Sequence, residues 1–244
     1  MKTVLTILVV AVCSFTFARD LPEFLHVCKR HDANLSNCIL RSVEYLKPHL
    51  SSGLPDYNIP SLEPLLLKEV SSTGTSIKLK LKDLQVRGAS NFTISRLKAN
   101  IETLRFAIEL VIPSFSLDGT YDINGKVLLL HIRGSGPMSG NFTNCKGVVK
   151  LQAEVSKGED GNEYIKISDF KTQIAVGNGH LKLDNLFGGD PVLGDALNTA
   201  INSNFDGFIQ DLQPSIESAI SSTFLKIANS ILTQFTYEQL FPVS

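Results

Sequence analysis

The sequence lacks the short motifs on which most enzymes depend. Its 244 residues include no tryptophan, four cysteines and five histidines. Neither His-Glu-x-x-His nor Cys-x-x-Cys occurs, so a zinc site is not expected, and no Gly-x-Ser-x-Gly elbow marks a hydrolase nucleophile. No group of residues supplies a nucleophile, a base and an orienting partner at a recognisable spacing. We therefore expect a protein that is not an enzyme and that carries neither a metal nor a cofactor.

Charge of either sign is not in excess. The chain holds 23 Lys and Arg against 24 Asp and Glu, so it creates no strong field, and nucleic acid is not an expected partner. Charged residues recur throughout the chain after its first 18 residues. No later segment therefore provides the roughly 20 consecutive apolar residues of a membrane helix, and stable membrane insertion is not expected.

The first 18 residues have the three parts of a secretory signal peptide. Lys2 supplies a positive charge, residues 4–12 are almost wholly apolar, and small residues stand at Thr16 and Ala18. This pattern predicts cleavage after Ala18 and a secreted, extracellular mature protein of residues 19–244. An uncleaved anchor or a buried strand is the alternative, although the apolar run is shorter than a membrane span. The mature length suits one domain with a large core.

Three cysteines remain beyond the predicted cleavage site. Cys28 and Cys38 lie close together in the chain, and in an oxidising compartment such a pair usually forms a disulfide. Cys145 is then left over, as a buried thiol or as a site of intermolecular pairing; free cysteines are mostly buried, which favours the thiol. Asn-x-Ser/Thr sequons, which accept a glycan where they are exposed, begin at three residues: Asn34, Asn91 and Asn141.

The beginning of the mature chain has the pattern of a helix followed by a loop. Apolar residues recur at three- and four-residue steps between Ser36 and Leu50, as on one face of a helix. Pro48 and Gly53 are expected to end this helix. Residues 51–64 contain three prolines and are expected to form a loop.

The middle of the chain alternates between apolar and polar residues from Ser76 to Phe187. This period of two predicts an antiparallel sheet with one dry face and one wet face. The pair Asn124-Gly125 predicts a hairpin turn. A further turn or bulge is expected at 134–136, where two glycines flank a serine, and a polar turn is expected at 158–162.

The C-terminal part has the pattern of one long helix. Apolar residues follow at steps of three and four from about Pro191 to Ile231. Asp190 is the expected N-cap, and Pro214 should bend the helix. A long helix with an apolar face needs a matching apolar surface, which only the dry face of the sheet offers. The predicted fold is therefore α+β, with the C-terminal helix wrapped by a highly curved antiparallel β-sheet.

A sheet bent round a helix is difficult to fill completely with side chains, so we expect an apolar tunnel that holds a lipophilic ligand. The candidate lining residues lie in the alternating strands and on the helix stripe. They are Phe106, Ile108, Leu110, Phe115, Leu117, Tyr121, Leu128, Leu130, Phe205, Phe208, Leu212 and Ile216. The Tyr121 hydroxyl either orients a ligand oxygen or bonds the backbone, and buried tyrosines usually do the second.

Five short blocks of the chain together form a recognisable series. They are Leu21-Pro22-Glu23-Phe24-Leu25 with Cys28-Lys29-Arg30 and Cys38-Ile39; Gly53-Leu54-Pro55 with Ile59-Pro60, Leu62 and Pro64-Leu65; Leu117, Gly119, Tyr121 and Ile123 with Gly125-Lys126-Val127-Leu128; Leu183 with Asn185-Leu186-Phe187-Gly188-Gly189-Asp190, Leu193-Gly194 and Asn198; and Tyr237 with Leu240-Phe241-Pro242. In this order they resemble the insect takeout family, which is related to haemolymph juvenile-hormone-binding proteins. The resemblance covers nearly all of the mature chain.

This resemblance has implications for fold and role. It implies a long helix wrapped by a highly curved sheet, as in tubular lipid-binding modules, and a disulfide between the first two mature cysteines. The hormone carriers of the group have a second disulfide, whereas Cys145 has no partner left, so the chain is more similar to the takeout branch. The family is linked to clock-controlled feeding and behaviour and to transport of hormones or odorants.

The predicted function is that of a monomeric secreted carrier. Its ligand would be a small hydrophobic molecule in an internal tunnel: a terpenoid hormone such as juvenile hormone, a fatty acid or a similar compound. One alternative is a secreted protein that recognises membranes or bacterial lipid. Another is a signalling ligand that stores a structural lipid and acts through an unknown receptor.

Overall fold

A computed structural model describes residues 19–72, 78–127 and 130–243, without the side chains of Val127 and Leu130. The predicted signal peptide and Leu128 lie outside the described residues. The helices are α1 (Leu35–Ser52), α2 (Pro191–Ser203), α3 (Phe205–Leu232) and α4 (Tyr237–Leu240). The strands are β1 (Leu65–Ser71), β2 (Lys78–Arg87), β3 (Thr93–Asn100), β4 (Arg105–Val127), β5 (Leu130–Lys157), β6 (Glu163–Ala175) and β7 (Asn178–Leu183). Short 3-10 helices lie at Pro55–Tyr57 and Ala89–Asn91.

Two long antiparallel strands form the centre of the sheet. β4 has 23 residues and pairs with β5 along its whole length, which at about 3.3 Å per residue makes a ribbon of roughly 75 Å. Each long strand takes two short partners on its other side: β3 and β2 beside β4, and β7 and β6 beside β5. β1 continues the sheet beside β2. The predicted antiparallel sheet is confirmed.

The sheet bends round α3. This helix packs mainly on β6 and also contacts β1, β2, β4 and β7. β1 and β6 stand at opposite ends of the strand order, and among the described residues they do not pair with each other. One helix in contact with both requires a strongly curved but unclosed sheet. The predicted α+β fold, with a C-terminal helix inside a curved sheet, is therefore confirmed.

Side chains of α2 and α3 cover the free edges of β6 and β7. The Asn202 side chain accepts a hydrogen bond from the N–H of Leu181 at 2.9 Å and donates one to the Leu181 carbonyl at 2.8 Å. Asn198 bonds Leu183 in the same way. Further side chains of α3 form hydrogen bonds with backbone groups of β6 in the same manner. Gln213 and Glu217 bond Ile174, Ser221 bonds Thr172, and Asn229 bonds Ile167. Since an uncovered strand edge can pair with another chain, these contacts explain why the sheet ends here.

Three clusters of buried apolar residues lie along α3: two towards its opposite ends, and a small one of Val70, Leu84 and Ala219 at its middle. The upper core joins α2 and the start of α3 to β2, β4, β5 and β7 around Phe208, Ile201 and Leu186. The lower core joins the end of α3 and α4 to β5 and β6 around Ile165 and Tyr237. The interior therefore has a densely packed region at each end of the helix.

The long C-terminal helix, predicted as one helix with a bend at Pro214, is divided in two at Asn204. α2 ends at Ser203, Asn204 has φ −129° and ψ 50°, and α3 starts at Phe205. Pro214 lies inside α3. The step from Ile201 to Phe205 keeps the four-residue spacing across the break, so the apolar stripe does not reveal the break.

The ends of the helices agree in part with the prediction. Asp190 caps α2, since its carboxylate accepts the N–H of Leu193 at 3.0 Å, and Pro191 is the first helical residue. Pro48 does not end α1, because the loss of its one N–H leaves the neighbouring helical bonds in place. Gly53 does end α1, with φ 79°.

The predicted hairpin turn at Asn124-Gly125 is wrong. Both residues lie in β4, opposite residues 132 and 133 of β5, and pairing continues to Val127. The turn signal is local to the sequence. Burial of the apolar residues Ile123 and Ile132 on either side of it favours continued strand pairing instead.

The predicted turn or bulge at 134–136 is a regular part of β5. Gly136 is required there because a Cβ atom would lie 2.6 Å from the carbonyl oxygen of Asp184. The glycine therefore permits the segment after β7 to approach the strand closely. The polar turn at 158–162 is confirmed, with the N–H of Gly158 donating to Asn162 at 2.8 Å.

The residues of β4 that face α3 have even numbers in the first half of the strand and odd numbers in the second half. Ile112 and Phe115 both pack against the upper core, and Pro113 and Ser114 between them are both exposed. At the same level of β5, Asn144 has a left-handed backbone with φ 55°, which interrupts the strict alternation of side chains. Both halves of β4 thereby direct apolar side chains towards α3.

Candidate ligand site

A set of apolar side chains between the two cores faces α3 but belongs to neither core. We call this set the inner apolar zone. Its members are Phe106, Ile108 and Leu110 of β4, Val149 of β5, Ile174 of β6 and Phe224 of α3. All six are half-buried.

The strand register places the inner apolar zone on the helix side of the sheet. Phe106, Leu151 and Phe170 lie opposite one another across β4, β5 and β6. The Phe170 ring stacks on Phe224 of α3, with centroids 6.5 Å apart. Ile108 follows Phe106 by two residues and shares its face.

The partial exposure of these side chains sets them apart from the cores. Phe208 and Ile201, which also face inward, are 0% exposed. The inner apolar zone instead keeps surface that a water-sized molecule can touch. Apolar surface left in contact with water is unfavourable by about 25 cal/mol per Å². A lipophilic ligand is the kind of molecule that would remove this contact.

Two surface grooves lie elsewhere and differ in character. One, of about 520 Å³, surrounds the start of α1. The other, of about 830 Å³, is lined mainly by charged and polar residues such as Lys98, Lys150 and Lys171, and shares only Phe106 with the inner apolar zone. Charged side chains are unsuited to an apolar molecule, so we place the candidate site in the interior.

Six of the predicted lining residues are half-buried side chains on inward-facing positions. Phe106, Ile108 and Leu110 belong to the inner apolar zone, and Phe115, Leu117 and Ile216 pack against the edge of the upper core. These six remain candidates for ligand contact.

Four other predicted lining residues lie inside the upper core. Tyr121, Phe205, Phe208 and Leu212 are between 0% and 8% exposed, and Phe205 packs on Phe142 with ring centroids 6.1 Å apart. They offer a ligand almost no surface, because α2 and the first turns of α3 close this end of the interior. Of the remaining two, Leu128 lies outside the described residues and the side chain of Leu130 is not described.

Tyr121 uses its hydroxyl for the fold. The hydroxyl donates to the carbonyl oxygen of Asp184 at 2.7 Å, as the backbone alternative predicted. Burial, with a further contribution from the Asp184 carboxylate, raises the pKa of Tyr121 to about 12. The phenol therefore stays protonated and keeps donating at physiological pH.

The cysteines behave as predicted. Cys28 and Cys38 form a disulfide with their Cα atoms 5.9 Å apart, which ties the segment before α1 to its first turns. Cys145 is a buried free thiol. Burial raises the pKa of this thiol, although a hydrogen bond from the backbone of Gly177 acts in the opposite direction. Cys145 is therefore poorly placed for intermolecular pairing.

The three sequons all have exposed asparagine side chains. Asn34 precedes α1 and Asn91 lies in a 3-10 helix, whereas Asn141 lies in the middle of β5 rather than in a turn. Exposure meets the requirement for a glycan acceptor, and glycosylation itself stays a prediction.

Three members of the inner apolar zone were not among the predicted lining residues: Val149, Ile174 and Phe224. They share the alternating or helical spacing of the residues that were selected. The spacing identifies the inward face but not how tightly each position packs. The pairing of β5 with the first half of β4, and of β6 with β5, was the missing information.

Within 19–72, 78–127 and 130–243, no helix is long and apolar enough to cross a membrane. Over the same part of the chain, no three His, Cys, Asp or Glu side chains come together as metal ligands.

The sequence is similar to those of known proteins. The chain is 27% identical to the circadian clock-controlled protein daywake of Drosophila melanogaster over 240 residues, or 94% of this chain and 91% of that protein. It is 22% identical to a putative beta-carotene-binding protein of Schistocerca gregaria, over 82% of this chain and 81% of that protein.

The chain also resembles a solved structure and matches the model of a protein family. Takeout 1 of Epiphyas postvittana superposes with a TM-score of 0.71 at 21% identity, covering 88% of this chain and 99% of that one. Residues 4–242 match the model described as haemolymph juvenile hormone binding protein. Because this match spans almost the whole sequence, the resemblance is confirmed and the chain belongs to the insect takeout and haemolymph juvenile hormone binding protein family.

Proposed function

We propose that the protein is a secreted, monomeric carrier that binds one small lipophilic ligand against the inner apolar zone. The observation that carries the proposal is a group of inward-facing apolar side chains that two packed cores leave incompletely covered. Such surface has no role in a core that is already closed. Removal of this surface from water by a bound ligand is favourable in free energy.

The expected affinity follows from buried area. A ligand that buries about 300 Å² of apolar surface gains roughly 7 kcal/mol before the costs of association. Because micromolar binding corresponds to about 8 kcal/mol net of those costs, it requires a larger buried area or a polar contact in addition.

The proposed ligands are terpenoid hormones such as juvenile hormone, fatty acids and similar lipids. The family name and the name of the Schistocerca gregaria relative both refer to the binding of lipophilic molecules. An apolar wall distinguishes ligands that differ by one methylene by only about 1–3 kcal/mol, so the proposal concerns a class of molecule.

Secretion rests on three features of the chain. Residues 1–18 have the pattern of a signal peptide, and the Cys28–Cys38 disulfide suits an oxidising compartment. The exposed sequon residues Asn34, Asn91 and Asn141 are proposed as glycan sites. Enzymatic removal of N-glycans from the secreted protein should lower its mass, and single Asn→Gln variants would identify the occupied sites.

The direct test is to fill the inner apolar zone. Ile108→Trp adds bulk there, and Lys150→Trp adds the same bulk on the exposed outer face of β5. Native mass spectrometry of each protein, incubated with a lipid extract of the natural source and repurified, should show a bound lipid in the wild type and in Lys150→Trp, but not in Ile108→Trp.

Stability measurements distinguish open space from a packed core. Ile108→Trp should unfold at nearly the wild-type denaturant concentration if the space is open, whereas overpacking costs about 1–3 kcal/mol. A bare polypeptide mass for the wild type, together with strong destabilisation by Ile108→Trp, would contradict the proposal.

Recognition of a lipid surface is the second candidate function. It is favoured by three exposed apolar side chains around the start of α2: Phe187, Val192 and Leu193 are 39%, 76% and 52% exposed. Apolar groups held outward can enter a membrane surface. Flotation with liposomes decides between the candidates, since a carrier stays in the soluble fraction and a surface-binding protein floats unless Val192→Asp is introduced.

A further inference from the structure

We infer that the hydroxyl of Thr172 is a polar anchor in the ligand site and binds an uncharged oxygen of the ligand, as in an ester, ketone, ether, epoxide or alcohol. The inference rests on the proposed carrier function and deepens it, because it adds a polar end to an otherwise apolar ligand. Three observations carry it: the position of Thr172, the unmet hydrogen-bonding capacity of its hydroxyl, and the charge nearby.

Thr172 lies next to the inner apolar zone on the same face of the sheet. It stands in β6 between Phe170 and Ile174 and directly opposite Val149 of β5. Its backbone N–H donates to the Ser221 hydroxyl of α3 at 3.1 Å. The residue is therefore fixed between the sheet and the helix, within the space that the proposed ligand would share.

The Thr172 side chain is buried without a hydrogen bond. The residue is only 8% exposed, and Oγ1 is enclosed with no partner among the described residues. Buried hydroxyl groups nearly always have a partner, since an unmet one loses its hydrogen bonds to water and gains none. In the described part of the chain, no other buried side-chain oxygen or nitrogen is left in this state.

A small motion would present this hydroxyl to a ligand. Oγ1 is closed off while the residue keeps some accessible surface, so that surface belongs to its other atoms. Rotation about χ1 moves Oγ1 between staggered positions on Cβ. The backbone, held by Ser221 and by pairing with β5, need not move.

The surrounding charge selects an uncharged ligand group. Glu217 lies one turn before Ser221 on α3 and bonds the N–H of Ile174, two residues from Thr172, at 2.9 Å. Lys171, the cationic neighbour of Thr172 in β6, is exposed on the opposite face of the sheet. A ligand carboxylate beside Thr172 would therefore face Glu217 without a compensating positive charge. An ester or alcohol oxygen avoids this repulsion and still uses the hydroxyl.

The test compares three probes of equal chain length: methyl dodecanoate, dodecanoic acid and dodecane. Their affinities are measured by displacement of a fluorescent apolar dye from the full mature protein. We expect wild type and Thr172→Ser to prefer the ester over dodecane by about three- to tenfold, the factor that one hydrogen bond provides. Thr172→Val should lose this preference and bind dodecane as well as wild type does.

Two further measurements separate an anchor from a structural role. Thr172→Val should leave the melting temperature of the ligand-free protein unchanged or raise it, because it removes an unmet polar group. Glu217→Gln, which keeps an acceptor for Ile174, should raise the affinity for dodecanoic acid relative to the ester.

Each contrary result has its own meaning. Retention of the ester preference in Thr172→Val, or an equal loss of ester and dodecane binding, would overturn the anchor while the carrier function stands. A lower melting temperature of Thr172→Val would also overturn it, since the hydroxyl would then have a structural partner. Failure of all three probes to bind wild type would overturn the proposed function and the anchor with it.

Discussion

Tyr121, Cys145 and Thr172 are three polar side chains enclosed in an apolar interior, and each is accommodated differently. The Tyr121 hydroxyl bonds a carbonyl, and the Cys145 thiol contacts the carbonyl of Thr143 at 3.7 Å and the backbone of Gly177. Thr172 has no partner for its hydroxyl among the described residues. The first two have partners within the protein, whereas we propose that the third finds its partner in the ligand.

Tyr121 should make stability depend on pH in the alkaline range. Its folded pKa of about 12 lies above the ordinary value of 10, so the folded state favours the protonated phenol. The resulting stabilisation is complete below about pH 10 and is lost as the pH rises towards 12. Denaturant unfolding of wild type and Tyr121→Phe across this range should show a decline that is smaller in the variant.

Tyr121→Phe also tests the hydrogen bond itself. At neutral pH it should lower the free energy of unfolding by about 1 kcal/mol, because the Asp184 carbonyl loses its donor. Ligand affinity should not change, since Tyr121 lies in the upper core. If Tyr121→Phe had normal stability but impaired binding, Tyr121 would have to be assigned to the ligand site instead.

Cys145 should be chemically inert in the folded protein. The thiolate is the reactive form, and burial both hides Cys145 and raises its pKa. With the disulfide intact, a thiol-specific chromogenic reagent should react only after denaturant is added, with one equivalent per chain. Rapid reaction of the native protein would show that the upper core opens.

At the scale of elements, the amide side chains of α2 and α3 take the place of a further strand. Asn198, Asn202 and Asn229 each bond both backbone groups of one edge residue. An asparagine can do this because its amide has a donor and an acceptor side by side. These contacts fix the helices on the sheet edge and leave the other helix faces for the interior.

Asn202→Leu should therefore destabilise the protein and promote association. Two backbone groups of Leu181 lose their partners, which should cost about 2–3 kcal/mol, and the exposed edge of β7 can then pair with another chain. Thr199→Leu, at an exposed position of the same helix, is the control for added hydrophobicity. Urea unfolding and light scattering should detect both effects in Asn202→Leu alone.

The disulfide should stabilise the N-terminal segment and α1. Loss of a cross-link that closes a ten-residue separation should cost about 2–3 kcal/mol in the chain-entropy model. We expect the double variant Cys28→Ala with Cys38→Ala to show this decrease in urea unfolding and earlier proteolysis before α1. Equal stability with and without the cross-link would show that packing of α1 alone holds this segment.

At the scale of the whole molecule, one helix inside an unclosed sheet leaves room for the proposed lipid site. The upper and lower cores stabilise the two ends of α3, and β1 and β2 contact its middle through Val70, Leu84 and Ala219. The stretch between the cores can stay incompletely filled because the ends provide the stability.

Ligand binding should therefore raise the stability of the whole domain. A ligand at about 100 times its dissociation constant adds roughly 2.7 kcal/mol, which for a domain of this size corresponds to about 5–10 °C in melting temperature. Delipidated protein should melt lower and regain the difference with added ligand, whereas Ile108→Trp should show no such gain. A melting temperature independent of lipid would argue against an internal site.

Much of the architecture is determined by the sequence itself. The two spacings of apolar residues, two along the middle of the chain and three or four at its end, specify a sheet and a C-terminal helix because side-chain direction follows backbone geometry. The cap at Asp190 and the pairing of Cys28 with Cys38 are equally local. β1 and α4 were missed because each is short and is held mainly by its neighbours.

Only the tertiary structure decided where strands end and which inward positions stay open. Asn124-Gly125 carries a turn signal, yet a ladder of cross-strand bonds runs through it. Phe208 and Ile108 are both apolar residues on an inward stripe, but one is packed from all sides and the other is half-buried. Spacing specifies the direction of a side chain, whereas the burial of that side chain depends on elements that are distant in sequence. The unmet hydroxyl of Thr172 is visible only once those elements are in place.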